Sequence, residues 1–548
     1  MEQPFAITLN VGSSLANHTG SWRTERPVYR NLLPPCNDAC PAGENIQSWL
    51  DESEDGDYES AWRKIMQENP MPAVMGRVCY HPCQTACNRN QLDQPVGINS
   101  VEQFLGDLAL REGWTVPIEA ELTGKRVLVI GAGPAGLSAA YHLRRLGHHV
   151  VIRDAEKQPG GMMRFGIPEY RLPRGVLDAE IARILDMGIT LELENRVDDL
   201  VAAKADGKFD AVFLAVGAQI GKRAYIPAGE SSKIFDAVGL LHDVDSDEAP
   251  LLGRRVVVYG GGNTAVDVAR TAKRLGAEDA VIVYRRTRDR MPATDMEVEE
   301  AMQEGVQMRW LSTIKHVGTE RMTVEKMALD ENGFPQPTGE FEELDADSLV
   351  LALGQEVDLS LVEDVPGLEV VDGVAQVDAN MMTGAEGIFA GGDMVPSDRT
   401  VTIAVGHGKL AARNIDGYLR GTPYQHPYRP DVATFDRLNT WYYSDAPRKI
   451  RSMLDMARRL SSFDEVKIGL DESNALFEAR RCLSCGNCFN CDNCFGVCPD
   501  NAVSKFAAGS AKGDNGRDYA FKLDYCKGCG MCVSECPSGA IGLIPEVF

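Results

Sequence analysis

The chain has 548 residues, fifteen of them cysteine, and carries a formal net charge of −24 at pH 7. This length exceeds what one hydrophobic core supports, so we expect several domains, and the negative charge argues against nucleic acid or an anionic membrane as a partner. The sequence contains neither an apolar run long enough to cross a membrane nor a signal-peptide pattern in residues 1–30, which predicts a soluble, cytoplasmic protein.

The cysteines form two groups, one towards each end of the chain. The first group contains Cys36, Cys40, Cys79, Cys83 and Cys87, and the second contains Cys482, Cys485, Cys488, Cys491, Cys494, Cys498, Cys526, Cys529, Cys532 and Cys536. Disulfide scaffolds are typical of short secreted chains, so this distribution favours metal ligation in a reducing compartment.

Residues 1–30 are polar and carry no motif, and we predict an N-terminal extension there. Residues 31–120 are predicted to form a helical iron–sulfur domain around the first cysteine group. Its cysteines follow a C-x3-C pattern and then a C-x3-C-x3-C pattern, whereas zinc sites mostly use C-x2-C pairs. Short loops with prolines beside the cysteines suit an iron–sulfur cluster instead.

Residues 121–225 open with a strand, a glycine-rich turn, a helix and a second strand that ends on an acid. The turn contains Gly131, Gly133, Pro134, Ala135 and Gly136, and the acid is Asp154. In dinucleotide-binding units the glycines admit the pyrophosphate to the helix N-terminus, and the acid binds ribose hydroxyls. This arrangement predicts a FAD site.

Two later stretches extend the predicted FAD site. A loop rich in glycine and proline follows the acid, and residues 351–425 return to the same domain with a strand, a tight turn and a helix. We expect the acid in that turn to bind a ribityl hydroxyl, and the helix N-terminus to stabilise negative charge on the reduced flavin. The residues assigned to these two stretches are Gly161, Arg164, Gly392, Asp393 and Thr402.

Residues 226–350 contain a second dinucleotide unit, in which Gly260, Gly262, Asn263 and Thr264 form the turn and the helix start. The next strand ends in Arg285 and Arg286 rather than in an acid. An acid at this position binds the 2′-hydroxyl of NAD, while arginine accommodates the 2′-phosphate of NADP. The pattern therefore favours NADP over NAD, although the arginines could instead bind the shared pyrophosphate or face solvent.

Residues 426–487 are predicted to be a linker, and residues 488–548 contain two runs of C-x2-C-x2-C-x3-C-P. This is the spacing of bacterial ferredoxins with two 4Fe–4S clusters, in which the fourth cysteine of each run binds the other cluster. Zinc is the alternative. One predicted cluster uses Cys488, Cys491, Cys494 and Cys536, and the other uses Cys526, Cys529, Cys532 and Cys498.

Across residues 31–425, the cysteine-rich N-terminal region, the GAGPAG and GGGNTAVD turns and the AGGD turn together resemble the small subunit of bacterial glutamate synthase and its relatives. The relatives include the flavin half of dihydropyrimidine dehydrogenase. The resemblance implies an α/β fold with two nested Rossmann-like nucleotide-binding domains, an α-helical N-terminal Fe–S domain and a C-terminal ferredoxin-like α+β domain. It also implies hydride transfer from NADPH to FAD, followed by single-electron transfer through 4Fe–4S clusters.

The chain departs from this family in one respect. The family begins its N-terminal domain with a segment that supplies two cluster cysteines, and here a similar segment, residues 462–485, lies near the C-terminus. We hypothesise that it folds back, so that Cys482 and Cys485 join Cys36 and Cys87 around one cluster. The resemblance then implies a second N-terminal cluster on Cys40, Cys79, Cys83 and Glu102. Alternatively, Cys482 and Cys485 are spare and only one N-terminal cluster exists.

Fifteen cysteines and Glu102 provide the sixteen ligands that four cubanes require. Hydride transfer to flavin needs orientation rather than a general acid or base, so no catalytic residue is assigned. We find no motif that activates a carbon substrate, which predicts an electron-transfer subunit of a larger oxidoreductase. A thiamine-dependent 2-oxoacid oxidoreductase is the favoured partner. A glutamate synthase large subunit, soluble ferredoxin, and a purely structural or redox-sensing role are the alternatives.

Overall fold

The computed structural model describes residues 18–222, 226–227, 233–246, 249–506 and 518–547. Within them, two parallel sheets of five strands each form the two dinucleotide units. The first sheet has the strand order Ile388–Ala390, Ala211–Leu214, Arg126–Ile130, His149–Arg153, Thr190–Glu192. The second has the order Gln307–Trp310, Asp279–Tyr284, Arg255–Gly260, Ser348–Ala352, Ile234–Asp236. Because Ile388–Ala390 returns to the first sheet after the second is complete, one domain is inserted into the other.

Both sheets are built from runs of Val, Ile and Leu whose side chains are buried on both faces, as parallel sheets require. Helices cover these faces. Those of the first unit are Pro134–Arg145, Met162–Phe165, Arg174–Leu185, Leu200–Asp206 and Val401–Arg420, and those of the second are Ala237–Asp245, Asn263–Arg274 and Asp295–Gln303. Shorter strands form the antiparallel sheet Ser312–Val317, Arg321–Leu329, Pro335–Asp345 and the pairs Ile220–Gly221 with Gln355–Glu356 and Val370–Val371 with Val374–Ala375.

The N-terminal cysteines lie in a helical domain around the buried indoles of Trp49 and Trp62. Its helices are Pro35–Ala39, Ile46–Glu54, Tyr58–Ile65, Pro72–Val78, Pro82–Thr85 and Ile98–Glu112. Prolines occupy the first turn of three of them, where a missing N–H costs nothing. None of the helices formed by the described residues is both long enough and apolar enough to cross a bilayer.

The segment before the ferredoxin domain packs on the N-terminal domain. Its helices are Met456–Ser461 and Glu472–Ala479, and the second contacts Ile46–Glu54 and Ile98–Glu112. Glu478, whose side chain is fully buried, accepts a hydrogen bond from the Gly97 N–H at 2.7 Å. This contact holds the segment where the fold-back hypothesis requires it.

The ferredoxin domain contains helices Asn493–Val497 and Met531–Ser534 and the strand pair Val503–Lys505 with Tyr519–Phe521. Its last strand, Ile541–Pro545, pairs antiparallel with Glu25–Tyr29. The described part of the predicted extension, residues 18–30, thus contributes a strand that pairs with the last strand of the ferredoxin domain. Residues 1–17 lie outside the described residues.

A buried ion network joins the NAD(P) domain to the segment before the ferredoxin domain. The Glu304 carboxylate, which has no exposed surface, accepts hydrogen bonds from Arg270 at 2.8 Å and Arg274 at 2.7 Å, and its Oε1 lies 3.0 Å from the Arg459 guanidinium. Burial raises the pKa of Glu304, but the hydrogen bonds from Arg270 and Arg274 outweigh it and lower the pKa to about 2.

We expect Glu304→Gln to lower the free energy of unfolding by about 3–5 kcal/mol, because it leaves buried guanidinium groups uncompensated. The folded-state pKa lies below the unfolded one, so this stabilisation is present above about pH 4.5 and is lost as the pH falls towards 2. Urea unfolding at pH 7 and pH 3 measures both effects, with the exposed Glu299→Gln as control. Equal losses for the two variants at pH 7 would contradict the prediction.

Candidate functional site

A single cavity of about 390 Å³ lies at the carboxyl ends of the two parallel sheets, where such folds bind nucleotides. It brings together predicted residues from both dinucleotide units. Those that line it are Gly131, Gly133, Pro134, Ala135, Asp154, Gly161, Gly392, Asp393, Asn263 and Thr264. The FAD and NAD(P) units therefore share one continuous space.

The glycine turn has the geometry of a pyrophosphate cradle. Gly131 has a φ of +108°, and a Cβ there would lie 2.3 Å from the Ala215 carbonyl oxygen. A Cβ on Gly133 would meet no protein atom closer than 3.9 Å, so that space is open to a ligand. Gly133 also precedes helix Pro134–Arg145 without a side-chain cap, which leaves N–H groups at the helix start for phosphate oxygens.

Two carboxylates at the cavity wall suit hydroxyl groups of a bound dinucleotide. Asp154 accepts hydrogen bonds from the N–H groups of Ala132 at 2.6 Å and Glu156 at 2.8 Å, and burial raises its pKa. Burial also raises the pKa of Asp393, which has no hydrogen-bond partner among the described residues. A ribityl or ribose hydroxyl would satisfy it, so the residues present fit FAD.

Helix Val401–Arg420 begins at the cavity with its positive end towards the predicted flavin position. Thr400 caps it by accepting a hydrogen bond from the Ile403 N–H at 3.2 Å. Thr402, which we assigned to FAD, does not line the cavity. Its hydroxyl lies 3.7 Å from the Met75 sulfur instead. His407 stabilises the neighbouring turn through its Nδ1, which accepts the Gly392 N–H at 3.2 Å.

The other assigned residues that do not line the cavity are Gly136, Arg164, Gly260, Gly262, Arg285 and Arg286. The guanidinium of Arg164 is 4% exposed; it donates to the Pro159 carbonyl at 2.8 Å and pairs with Asp178. It orders the loop next to the cavity and does not face the cavity.

Sequence reasoning missed several polar residues of the cavity, among them Tyr80, Arg171 and Asp267. Asn263 donates a hydrogen bond to the Tyr80 hydroxyl at 2.7 Å, and Arg171 donates to Asp267 at 2.7 Å. Burial raises the pKa of Asp267 to about 6, although the Arg171 charge opposes this. Asp267 ends the second glycine motif, which is the one signal that could have identified it.

Arg285 and Arg286 follow strand Asp279–Tyr284 at the edge of the NAD(P) unit. Arg285 is exposed, and no carboxylate among the described residues lies within salt-bridge distance of its guanidinium. The Arg286 guanidinium lies 6.0 Å from the Phe334 ring centre. Two cations without bound carboxylates fit the 2′-phosphate of NADP better than the 2′-hydroxyl of NAD.

All fifteen cysteines are free thiols, and together with Glu102 they form four groups of neighbouring side chains, which we call nests. We number the nests outward from the dinucleotide cavity. Nest 1 comprises Cys40, Cys79, Cys83 and Glu102; nest 2 comprises Cys36, Cys87, Cys482 and Cys485; nest 3 comprises Cys488, Cys491, Cys494 and Cys536; nest 4 comprises Cys498, Cys526, Cys529 and Cys532.

Nest 1 adjoins the dinucleotide cavity, because Val78 and Tyr80, on either side of Cys79, both line it. Burial raises the pKa of the Cys79 thiol to about 11, with the Glu102 charge as the next cause. The Asn69 amide donates hydrogen bonds to both Glu102 and Glu44, each at 2.9 Å. Glu44 was missed from sequence and is a second carboxylate beside this nest.

The four cysteines of nest 2 line one cavity, although two of them lie about four hundred residues from the others. Burial, and then the charges of Cys482, Cys87 and Cys485, raise the pKa of Cys36. The arrangement is the one that the fold-back hypothesis requires.

Nests 3 and 4 show the crossed pairing expected of a ferredoxin with two clusters. Cys536 lines the cavity of nest 3, although it belongs to the second cysteine run. Burial, followed by the charges of Cys494, Cys498, Cys526 and Cys529, raises the pKa of Cys532 to about 12. Cys498 of the first run is therefore a neighbour of nest 4.

Neighbouring nests lie beside one another, so they form a series. The Cys83 thiol is close enough to both Cys40 and Cys36 for their charges to raise its pKa, after burial, which joins nests 1 and 2. Between nests 2 and 3, the Gly486 N–H donates to the Ser538 carbonyl at 2.6 Å. The influence of Cys494 on Cys532 joins nests 3 and 4. The series begins at the dinucleotide cavity and ends in the ferredoxin domain.

The nests suit iron–sulfur clusters better than single ions. Throughout the part of the chain that the structure describes, no three His, Cys, Asp or Glu side chains converge closely enough to hold one metal ion. Tetrahedral zinc needs thiolates about 2.3 Å from the metal, whereas a cubane spreads its four thiolates over a larger core.

Three family models match the chain. The model described as pyridine nucleotide-disulphide oxidoreductase covers residues 125–408, the dihydropyrimidine dehydrogenase domain II model with a 4Fe–4S cluster covers residues 26–114, and the 4Fe–4S dicluster model covers residues 487–540. These matches confirm the predicted fold class, the FAD and NAD(P) cofactors, the 4Fe–4S clusters, the oxidoreductase activity and the role of electron-transfer subunit.

Among similar proteins, the NADP(+)-dependent formate dehydrogenase subunit beta of Moorella thermoacetica is 36% identical over 83% of this chain and 71% of its own length. The NADPH-Fe(3+) oxidoreductase subunit beta of Geobacter sulfurreducens is 32% identical over 82% and 75%, respectively. The NAD-dependent dihydropyrimidine dehydrogenase subunit PreT of Escherichia coli is 34% identical over 71% and 91%. The chain therefore belongs to the pyridine nucleotide-disulphide oxidoreductase family, in the branch that carries additional 4Fe–4S domains.

Proposed function

We propose that this chain moves electrons between NADP(H) and a catalytic partner subunit, through FAD and four 4Fe–4S clusters bound by nests 1 to 4. The observation that carries this proposal is the unbroken series of nests, which starts at the dinucleotide cavity and ends in the ferredoxin domain. A series of neighbouring nests is what stepwise transfer of single electrons needs, whereas a structural or sensing role would not require it.

The role of the chain's own residues is to bind and orient the two cofactors. The glycine turn, Asp154 and Asp393 would hold FAD, and Asn263 and Thr264 start the helix that would hold the nicotinamide cofactor in the same cavity. Bound FAD supplies the conversion of a hydride into two single electrons. The Arg171–Asp267 pair and Tyr80 line this cavity, and Tyr80 follows Cys79 of nest 1 in the chain.

Two catalytic partners are candidates. The ferredoxin-like domain led us to expect a thiamine-dependent 2-oxoacid oxidoreductase, and this remains a proposal. Similarity over most of both chains to a formate dehydrogenase subunit favours a formate-oxidising partner as the second candidate. In either case the partner would exchange electrons at the ferredoxin domain, where Cys491 and Cys529 are exposed.

Anaerobic purification from the native cell, with identification of the partner chains by mass spectrometry, tests the choice of partner. The isolated chain should reduce viologen dye with NADPH. A chain that binds FAD and iron but transfers no electrons to the dye would contradict the proposed function and favour a structural or sensing role.

We expect the double variant Arg285→Ala, Arg286→Ala to raise the KM for NADPH by about 10- to 100-fold, because charge-assisted hydrogen bonds to the 2′-phosphate contribute about 1.5–3 kcal/mol. The KM for NADH should change little. The matched control is Arg288→Ala, since Arg288 is a nearby exposed arginine that already pairs with Glu299. Equal effects on both cofactors would contradict the assignment of NADP.

A further inference from the structure

The N-terminal segment lies against nest 3 at the opposite end of the chain. Strand Glu25–Tyr29 pairs with Ile541–Pro545 so that Tyr29 lies opposite Ile541. The Tyr29 ring stacks on Phe521, with ring centres 4.7 Å apart. Arg23 donates a hydrogen bond to the Cys526 carbonyl at 3.0 Å, which ties the same segment to nest 4. These contacts fix the direction in which the Tyr29 side chain points.

The Tyr29 hydroxyl reaches a cluster cysteine. It lies 3.3 Å from the sulfur of Cys494, and Tyr29 lines the same cavity as the four cysteines of nest 3. A cysteine that binds iron is a thiolate and has no proton to donate. With a cluster in place, the tyrosine is therefore the donor and the sulfur is the acceptor.

We propose that Tyr29 is a positioning residue that raises the reduction potential of the cluster in nest 3. This rests on the proposed assignment of nest 3 as a 4Fe–4S site. Reduction adds one electron, which arrives from a neighbouring nest, and no bond of Tyr29 forms or breaks. Because the added negative charge is shared with the sulfurs, a hydrogen bond to a sulfur stabilises the reduced form more than the oxidised form.

The consequence is that the clusters of nests 3 and 4 differ in reduction potential, although their cysteine runs have identical spacing. The repeat supplies equivalent thiolates to nests 3 and 4, but Tyr29 comes from a strand about five hundred residues away and donates to a nest 3 sulfur. The residue distinguishes the inner cluster of the ferredoxin domain, through which electrons pass between nest 2 and nest 4.

The test compares Tyr29→Phe with Tyr519→Phe in the full chain loaded with FAD and iron. Tyr519 lines the same cavity, but its hydroxyl donates to the Asp492 carboxylate at 2.6 Å. Each variant removes one phenol hydroxyl and keeps the ring, so ring packing is kept at the half-buried Tyr29 and at the buried Tyr519. Redox titration followed by electron paramagnetic resonance, with iron content measured on each sample, reads the cluster potentials directly.

We expect Tyr29→Phe to lower one cluster potential by the equivalent of a tenfold change in the equilibrium constant, which is about 59 mV for one electron. Tyr519→Phe should shift that potential less. Full iron content with unchanged potentials in Tyr29→Phe would overturn the role of Tyr29 alone. A Cys494→Ser variant that keeps the iron content and spectrum of the wild-type chain would overturn the cluster assignment and the role of Tyr29 together.

Discussion

Replacing Cys482 by serine is expected to remove one cluster, or about four irons per chain, and to interrupt electron transfer from NADPH to the ferredoxin domain. The reason is the position of nest 2 in the series, between nest 1 at the dinucleotide cavity and nest 3. Changes to residues outside the ligand shell of a metal already cost about 10–100-fold, so the loss of a ligand should slow dye or partner reduction by at least about 100-fold. Flavin reduction by NADPH should persist.

Double variants separate this prediction from general damage to the protein. Cys36 and Cys482 belong to the same nest, so Cys36→Ser, Cys482→Ser and the double variant should all lose the same iron. Combining Cys482→Ser with Cys494→Ser should lose twice as much, because Cys494 belongs to nest 3. Unchanged iron in Cys482→Ser would show that Cys482 and Cys485 are spare cysteines.

The second large effect is expected from Gly133→Ala, which should lower FAD affinity by tenfold or more while the protein remains folded. A Cβ at this position meets no protein atom closer than 3.9 Å, so the empty fold accepts it. The same Cβ would occupy the space that the pyrophosphate needs, and overpacking of this kind costs about 1–3 kcal/mol. Flavin titration of the deflavinated chain, followed by fluorescence, measures the affinity.

Substitutions at two further glycines provide comparisons for Gly133→Ala. Gly175→Ala is the control, because Gly175 lies in helix Arg174–Leu185 and its Cβ would meet nothing within 4 Å. Gly131→Ala should instead disturb the fold itself, since its Cβ would lie 2.3 Å from the Ala215 carbonyl oxygen. Normal FAD binding by Gly133→Ala would mean that the cofactor does not approach this turn.

Local patterns predicted much of the site. The glycine turn at Gly131 and Gly133 and the crossed cysteines of the ferredoxin domain follow from spacing, because a turn or a cluster imposes its geometry on a few neighbouring residues. Resemblance to a family led us to place Cys482 beside Cys36. The orientation of individual side chains was not predicted. Arg164 and Thr402 belong to segments that border the cavity, but their side chains contact Asp178 and Met75 instead.

Long-range contacts that no motif or family resemblance indicates were not accessible from the sequence. The strand Glu25–Tyr29 is short and polar at its start, and its partner strand lies at the other end of the chain. Pairing between such distant segments leaves no periodic signal in either one. Tyr80 and Arg171 were missed for a related reason, since they reach the cavity from the cysteine domain and from a loop and not from a recognised motif.

The pairing of Glu25–Tyr29 with Ile541–Pro545 also constrains how the protein is made. At translation rates of about 5–20 residues per second, the first of these strands is synthesised roughly half a minute to two minutes before its partner. The interval between the synthesis of Cys36 and Cys87 and that of their nest 2 partners, Cys482 and Cys485, is almost as long. Iron can therefore be delivered to nests 2 and 3 only when synthesis is nearly finished, and a cell that makes this protein must keep its early thiols reduced until then.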